Sequence, residues 1–417
     1  MRVYKFGGAS VKDADGVRNL QRIVAQEPND LVVVVSAMGK TTNALEALLN
    51  DITSGDTQGE IQRVNDILSY HATIIQDLGL GASVSEQIHD LFRDTLQQSK
   101  QQVASYEQTY DAIVSLGERM STAIVAAYLQ QCGMPAVLWD MTQLLRTDDT
   151  YREAQVDITT SCELMLHAWN NIPVRKLVVA QGFIGGTATG HPTTLGREGS
   201  DYSAALIGNI LDAESVTIWK DVPGVLNADP RLVTETTKID ELSYSDAVEL
   251  AYSGAQIIHP KTIRPLENKH IPLYVKPFKD AQATGSVIRQ GAQPIGVPVY
   301  IWRQNQILIT VRAKDFAFAL EESLSHVFDI IHRYRLKVSL IQSSAITISV
   351  CVDNSMYVSQ VIKELEKDFA VSWNEGLKLL TIRGTTPDIL EKERAGRTIL
   401  LSQTTRRTAR LIIKDNI

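Results

Sequence analysis

Short apolar runs bounded by turn residues alternate with stretches of helical spacing along the first 290 residues. Residues 3–6 and 31–35 are two such runs, and between them Val17, Leu20, Ile23 and Val24 recur at three- and four-residue intervals, the period of one helix face. The spacing predicts strand, glycine turn, helix, strand. Further strands are expected at 136–139, 177–180, 216–219 and 273–275, each followed by a Gly, Asp or Pro turn. Alternation of this kind builds an α/β fold, a mostly parallel sheet sandwiched by helices. One polar stretch interrupts it at about residues 58–112. There Ile67, Ile74, Ile75, Leu78, Ile88, Leu91, Phe92 and Leu96 predict two helices that form a lobe.

The pattern relaxes through Gly285, Gly291, Pro294 and Gly296, which marks a domain boundary and divides the chain into residues 1–290 and 291–417. Beyond it the order changes. Strand is predicted at 307–311, helix at 317–334, strands at 337–341 and 346–352, helix at 357–366 and strand at 370–373. That order, spanning 305–374, is βαββαβ, a ferredoxin-like unit. A strand at 377–382, a short helix and strands at 398–401 and 409–413 suggest a second, incomplete copy that borrows a strand near 297–302 to close its sheet.

A length of 417 residues, with 44% apolar and 21% charged positions and 25 Gly plus 13 Pro, fits two or three ordinary globular domains. Disordered and collagenous classes are excluded. Cys132, Cys162 and Cys351 are far apart and form no C-x-x-C pair, so a zinc ribbon or disulfide framework is not expected and a reducing, cytoplasmic setting is the simplest one. The opening Met1-Arg2-Val3-Tyr4-Lys5-Phe6 has no apolar leader, and the run 31–35 is too short to span a bilayer. The net charge is −7. Residues 291–417 hold 17 Lys and Arg against 13 Asp and Glu, leaving 24 against 35 in the first 290. A net-acidic body argues against a nucleic-acid groove, so any anion must be met by local positive charge. Arg406, Arg407 and Arg410 read as a solvated face.

Local positive charge occurs where strands end. Lys5-Phe6-Gly7-Gly8-Ala9-Ser10 closes the first strand with a glycine turn that opens a helix, presenting bare N–H groups to a phosphate beside a lysine. The G-x-x-x-x-G-K-[ST] loop is absent. A second turn runs from Gln181-Gly182-Phe183 to Leu195-Gly196-Arg197-Glu198-Gly199-Ser200-Asp201. Asp201 alone could be a helix N-cap, but Arg197 in a glycine-flanked loop suits bidentate capture of a carboxylate or phosphate. Glu118, within Gly117-Glu118-Arg119-Met120-Ser121, could be functional or could merely compensate a helix dipole. Ser36 to Asn43 forms a third polar strand-to-helix turn. The stretch from Trp219-Lys220-Asp221 through Asp229-Pro230-Arg231 is a charged loop at a strand's C-terminal end, where α/β folds place nucleotides.

In order and spacing these segments resemble the aspartate kinases of the amino-acid kinase family along nearly the whole chain. Residues 5–10 resemble K-F-G-G-T-S, 117–121 G-E-x-M-S, 195–204 L-G-R-x-G-S-D-x-x-A, 221–231 D-V-x-G-V-x-x-x-D-P-R and 254–260 G-A-x-x-x-H-P. The tail resembles tandem ACT domains, one inserted within the other. The resemblance implies ATP-dependent phosphorylation of the L-aspartate side-chain carboxylate, the first step of lysine, methionine and threonine synthesis, with Mg²⁺ held mainly through the phosphates and no metal ligands of the protein's own. A carboxylate nucleophile with a pKa near ~4 needs no general base, so charge neutralisation and alignment suffice. By matching positions, Lys5 and Asp201 would be catalytic. Ser36, Thr42, Glu118, Arg197, Gly199 and Ser200 would bind aspartate, and Lys5, Gly7, Gly8, Ser10, Trp219, Lys220, Asp221, Leu226 and Arg231 would bind ATP.

The chain departs from the family pattern at several positions. Ala9 replaces a threonine, Lys220 stands where a threonine is common, Leu226 replaces a frequent tyrosine, and Gln256 occupies a position where some members carry an ATP-contacting lysine. Lys220 or Lys261 could supply that charge. Ser339 stands where lysine-inhibited relatives carry an aspartate, which bears on any amino-acid effector of the ACT units. A homodimer or larger homo-oligomer is expected through residues 291–417, because ACT sheets commonly pair edge to edge. Rival readings are another amino-acid kinase, or a sensor that has lost activity.

Overall fold

In the computed structural model, which describes residues 1–101, 105–172, 176–255, 258–314 and 320–414, the first two apolar runs are neighbouring parallel strands. They are β1 (Arg2–Phe6) and β2 (Leu31–Val35), joined by α1 (Ala14–Ala25). The Asp13 carboxylate caps α1 by accepting from the Gly16 N–H. Helices α2 (Thr41–Ser54), α3 (Thr57–Asp77), α4 (Ala82–Gln101), α5 (Tyr106–Val114) and α6 (Leu116–Gln131) follow. The predicted lobe of two helices is therefore α3 and α4, flanked by α2 and α5. Its Ile67, Ile74, Ile75, Ile88 and Phe92 are buried in one core with Val17, Leu20 and Ile23 of α1.

β3 (Ala136–Trp139), α7 (Met141–Leu144), α8 (Ile158–Asn170) and β4 (Leu177–Gln181) return the chain to the sheet. The hairpin β5 (Ile184–Gly186) and β6 (Pro192–Thr194) leads into α9 (Gly199–Ile210) and β7 (Ser215–Lys220). Then come β8 (Val225–Leu226), β9 (Lys238–Ile239), β10 (Glu241–Leu242), α10 (Tyr244–Ser253), α11 (Pro260–Asn268), β11 (Leu273–Pro277) and β12 (Ser286–Ile288). The large sheet runs β10-β12-β11-β7-β1-β2-β4-β3, parallel except where β12 meets β11. Strand β2 is buried at all five positions, as a strand covered on both faces must be. Residues Tyr106–Gln131 are long and apolar enough to cross a membrane, and the fold's own core accounts for this, since 78% of the apolar window is buried.

The chain divides into two compact units: Met1–Val225 with Lys238–Val248 and Gln256–Pro294, and Leu226–Thr237 with Glu249–Ala255 and Ile295–Ile417. The sequence boundary near 290 falls close to the last division.

The second unit holds β13 (Val299–Ala313), α12 (Leu320–Arg333), β14 (Val338–Ser343), β15 (Thr347–Asp353), α13 (Val358–Asp368), β16 (Phe369–Arg383), α14 (Pro387–Arg394), β17 (Thr398–Thr404) and β18 (Thr408–Lys414). One antiparallel sheet, ordered β14-β15-β13-β16-β18-β17, serves both ferredoxin-like copies. The first part of β13 is the borrowed strand, with Tyr300 opposite Ile382 and Trp302 opposite Leu380. Where four separate strands were expected, two 15-residue strands run through. A bulge marks each former join: Asn305 and Gly376 take φ of 53° and 68°, and the register shifts on both sides of Gln306, which bends the ladder without breaking it. Positions 317–319 of the predicted helix lie outside the described residues.

Candidate active site

Parallel strands bring their C-terminal ends to one edge. Phe6 lies in register with Val35 and with Trp219, and Val35 with Gln181, so the turns after β1, β2, β4 and β7 share that edge. Lys5 is 8% exposed and Asp201, in the first turn of α9, 3%. Their Nζ and Oδ1 atoms lie 2.5 Å apart. Lys220 Nζ, at the end of β7, lies 3.6 Å from the other carboxylate oxygen. Burial alone would push the Asp201 carboxyl up, but the charges of Lys5 and Lys220 outweigh it and hold the group below its usual range. Asp201 is therefore a buried carboxylate shared by two lysines. It is not the N-cap of its helix, a place taken by Glu198 at φ 52°.

The glycine turn closes tightly on its neighbour. A Cβ on Gly8 would stand 2.5 Å from the Ala37 carbonyl oxygen, and the Gly39 N–H donates to Gly8 at 3.0 Å. Gly7 lies under Lys5, a Cβ there falling 3.6 Å from Nζ. Ser10 is buried and its N–H donates to Gly7. These backbone contacts explain why the turn is built from small residues, and Ala9 keeps it intact.

Glu118, in the first turn of α6, is 3% exposed and accepts from the Ala37 N–H at 3.1 Å through Oε1. Its Oε2 has no hydrogen-bond partner among the described residues. Burial raises the carboxyl to about 8, against the opposing pull of the Ala37 N–H and of Lys5. A carboxylate held for dipole compensation alone would sit in solvent, whereas this one is buried with an open oxygen. Ser36 and Thr42 are half-buried on the loop and first helical turn beside Ala37. Arg197 is exposed, between β6 and α9.

The remaining expected site positions lie as follows. Gly199 and Ser200 are buried, a Cβ on Gly199 falling 2.6 Å from Phe183 and Ser200 packing 2.5 Å from the Cβ position of Gly182. Strand alternation turns Trp219 to the face opposite Lys5 and Lys220. There it stacks on Phe6 with centroids 6.1 Å apart and edges onto Tyr4 at 5.6 Å. Its side chain belongs to the core, so only its backbone stands at the strand end. Asp221 is exposed after Lys220. Leu226 and Arg231 belong to the second unit, where Arg231 Nη2 pairs with Asp229 at 2.7 Å. Gln256 lies outside the described residues.

Sequence reasoning missed two supports. Asp111 of α5 is fully buried, accepting from the Thr194 hydroxyl at 2.7 Å, the Thr194 N–H at 2.8 Å and the Arg152 N–H at 3.0 Å. Burial raises it to about 6 despite these bonds. It anchors the strand that leads to Arg197. Glu198 accepts from the His259 N–H at 2.9 Å, tying the same loop to the start of α11. Both contacts cross more than 60 residues of sequence, and the only local signal was a carboxylate among apolar neighbours in 111–114.

Residues 1–277 match the model of the amino acid kinase family. Over 394 residues the chain is 32% identical to lysine-sensitive aspartokinase 3 of Escherichia coli (strain K12), covering 92% of this chain and 86% of that one. The chain belongs to the amino acid kinase family, among its aspartokinases. Aspartokinase 1, chloroplastic, of Arabidopsis thaliana is 31% identical over 406 residues, 92% of this chain and 70% of the relative. The crystal structure of E. coli aspartokinase III in complex with aspartate and ADP superposes with a TM-score of 0.85 at 29% identity, covering 99% of this chain and 96% of that one.

Proposed function

We propose that the chain transfers the γ-phosphoryl group of ATP to the side-chain carboxylate of L-aspartate, giving 4-phospho-L-aspartate and ADP, the first step of lysine, methionine and threonine synthesis. The observation that carries this reading is the buried Lys5–Asp201–Lys220 cluster at the glycine-rich end of the sheet, within an aspartokinase chain. A bond forms between a carboxylate oxygen and phosphorus as the bond to the ADP oxygen breaks. No proton moves, because the nucleophile is already ionised. The protein's task is to bring two anions together. Lys5 meets the charge on the transferring group, Asp201 aims Lys5, and the Gly7–Gly8 turn offers backbone N–H groups. Mg²⁺ would be carried mainly by the phosphates, as it is in phosphoryl transfer generally.

An ATP-dependent hydroxamate assay, which traps acyl phosphate with hydroxylamine, tests the reading with L-aspartate and L-glutamate in parallel. Signal with aspartate alone supports it, and silence in both from folded protein sinks it.

Glu118 binds the substrate's ammonium group through its open oxygen, and this sets a pH dependence. With a carboxyl raised to about 8, the free enzyme is mostly protonated at pH 6 and must lose that proton to pair with the amine. The KM for aspartate is expected to fall by up to about tenfold per pH unit between pH 6 and 8, then level off. Steady-state kinetics across that range check it, with Glu118→Gln expected to flatten the slope and raise KM.

Lys220 supplies the second positive charge toward the ATP phosphates. Lys220→Ala is expected to raise the KM for ATP about tenfold, the scale of one charge-assisted hydrogen bond. An unchanged ATP KM would remove it from the site.

The second unit binds an amino-acid effector and pairs with a second copy through its sheet, whose end strands are β14 and β17. Ser339 accepts from Arg303 Nη1 at 3.2 Å, so no carboxylate awaits an effector's amine at that position. Light scattering at micromolar concentration is expected to return at least twice the 46.1 kDa chain mass; a monomer mass would overturn the pairing.

A further inference from the structure

Arg119 follows Glu118 on α6, and successive helix positions point about 100° apart. It lines a separate cleft of about 90 Å³ with Gln98 and Ser99 of α4, Gln108 and Thr109 of α5, and His191 of the β5–β6 hairpin. None of these residues belongs to the proposed active site, and no carboxylate lines the cleft. Arg119 is half-buried and forms no ion pair with a described residue. Burial holds its guanidinium below the usual value, with Asp140 pulling the other way, but Asp140 Oδ1 is occupied by the Thr142 N–H and hydroxyl at 3.0 and 2.7 Å. An arginine cannot discharge itself by losing a proton, so a half-buried guanidinium that pairs with no described carboxylate keeps its donors available to a ligand. The surrounding groups include no acid. The Gln98 and Gln108 amides and the His191 ring donate to no described residue, while Ser99 and Thr109 spend their protons on the carbonyls of Thr95 and Ser105.

A guanidinium fork, amide donors that reach no described acceptor and no lining acid together form a receptor for a planar or tetrahedral oxyanion. We propose that this cleft binds a small oxyanion, a carboxylate or a phosphate group, apart from the phosphoryl-transfer site. The cleft is walled by α5 and by the hairpin, which Asp111 joins through Thr194, so its occupant sits behind the strand that leads to Arg197. The inference does not rest on the kinase reading, because its test measures binding without turnover.

The test is isothermal titration of the full chain with inorganic phosphate and, separately, succinate, in saturating ADP and aspartate, using wild type, Arg119→Leu, Gln108→Leu and Arg197→Ala. The expected result is saturable binding of at least one anion to wild type, retained in Arg197→Ala, weakened about tenfold or more in Arg119→Leu and by a smaller factor in Gln108→Leu. Phosphate alone or succinate alone then names the chemical source. Absence of binding to wild type by either anion, or binding unchanged in Arg119→Leu and lost in Arg197→Ala, overturns the proposal. Should Arg119→Leu fail to melt cooperatively, Gln108→Leu decides, and unchanged affinity there counts against the site.

Discussion

Lys5→Met is expected to lower kcat by about 10³-fold while the protein remains folded, the scale seen when one preorganised electrostatic group is removed from a transition state. Lys5 is placed by a fully paired strand between β2 and β7 and lies 2.5 Å from Asp201, so its ammonium is held in position before any substrate arrives. The substitution leaves Asp201 buried with Lys220 as its remaining cation at 3.6 Å. Breaking a buried pair on one side costs about 3–5 kcal/mol where no second partner exists; Lys220 should reduce that loss. Lys5→Met with Asp201→Asn removes the stranded charge, so stability should recover while activity does not. Circular dichroism melts and hydroxamate rates on the same preparations separate the two effects. A single variant retaining more than a tenth of wild-type kcat would take Lys5 out of the chemistry.

Arg197→Ala is expected to raise the KM for aspartate by about 10- to 100-fold with a much smaller change in kcat, because a bidentate hold on a carboxylate that does not react contributes equally to ground and transition states. Arg197 is exposed and forms no ion pair with a described residue, so its loss should leave the melting temperature within a degree or two. Arg197→Lys keeps the charge but not the fork and should recover only part of the affinity. Its loop is held from outside, by Asp111 through Thr194 and by Glu198 through His259. If KM for aspartate is unchanged in Arg197→Ala, the α-carboxylate is held elsewhere.

Local patterns carried the element types. Periodicity placed β1, α1 and β2, the helical lobe and the βαββαβ order of the tail, since helix and strand periods depend only on which faces are buried. The strand-end turns placed Lys5, Gly7, Gly8, Arg197 and Asp201, because glycines and charges that follow a parallel strand collect at one edge of the sheet. Tertiary structure decided what these groups do to one another. The sharing of Asp201 between Lys5 and Lys220, the open oxygen of Glu118 and the anchoring of Thr194 by Asp111 join segments 19 to 196 residues apart, and no local pattern encodes such pairings. It also decided how these positions pack: Trp219 is turned into the core by strand alternation, and Gly199 and Ser200 are buried against Phe183 and Gly182. Two expected breaks in the tail became bulges, because Asn305 and Gly376 bend a ladder whose hydrogen bonds are worth keeping. Sequence periodicity reports which face of an element is dry, while charge pairing and register depend on the neighbour that dries it.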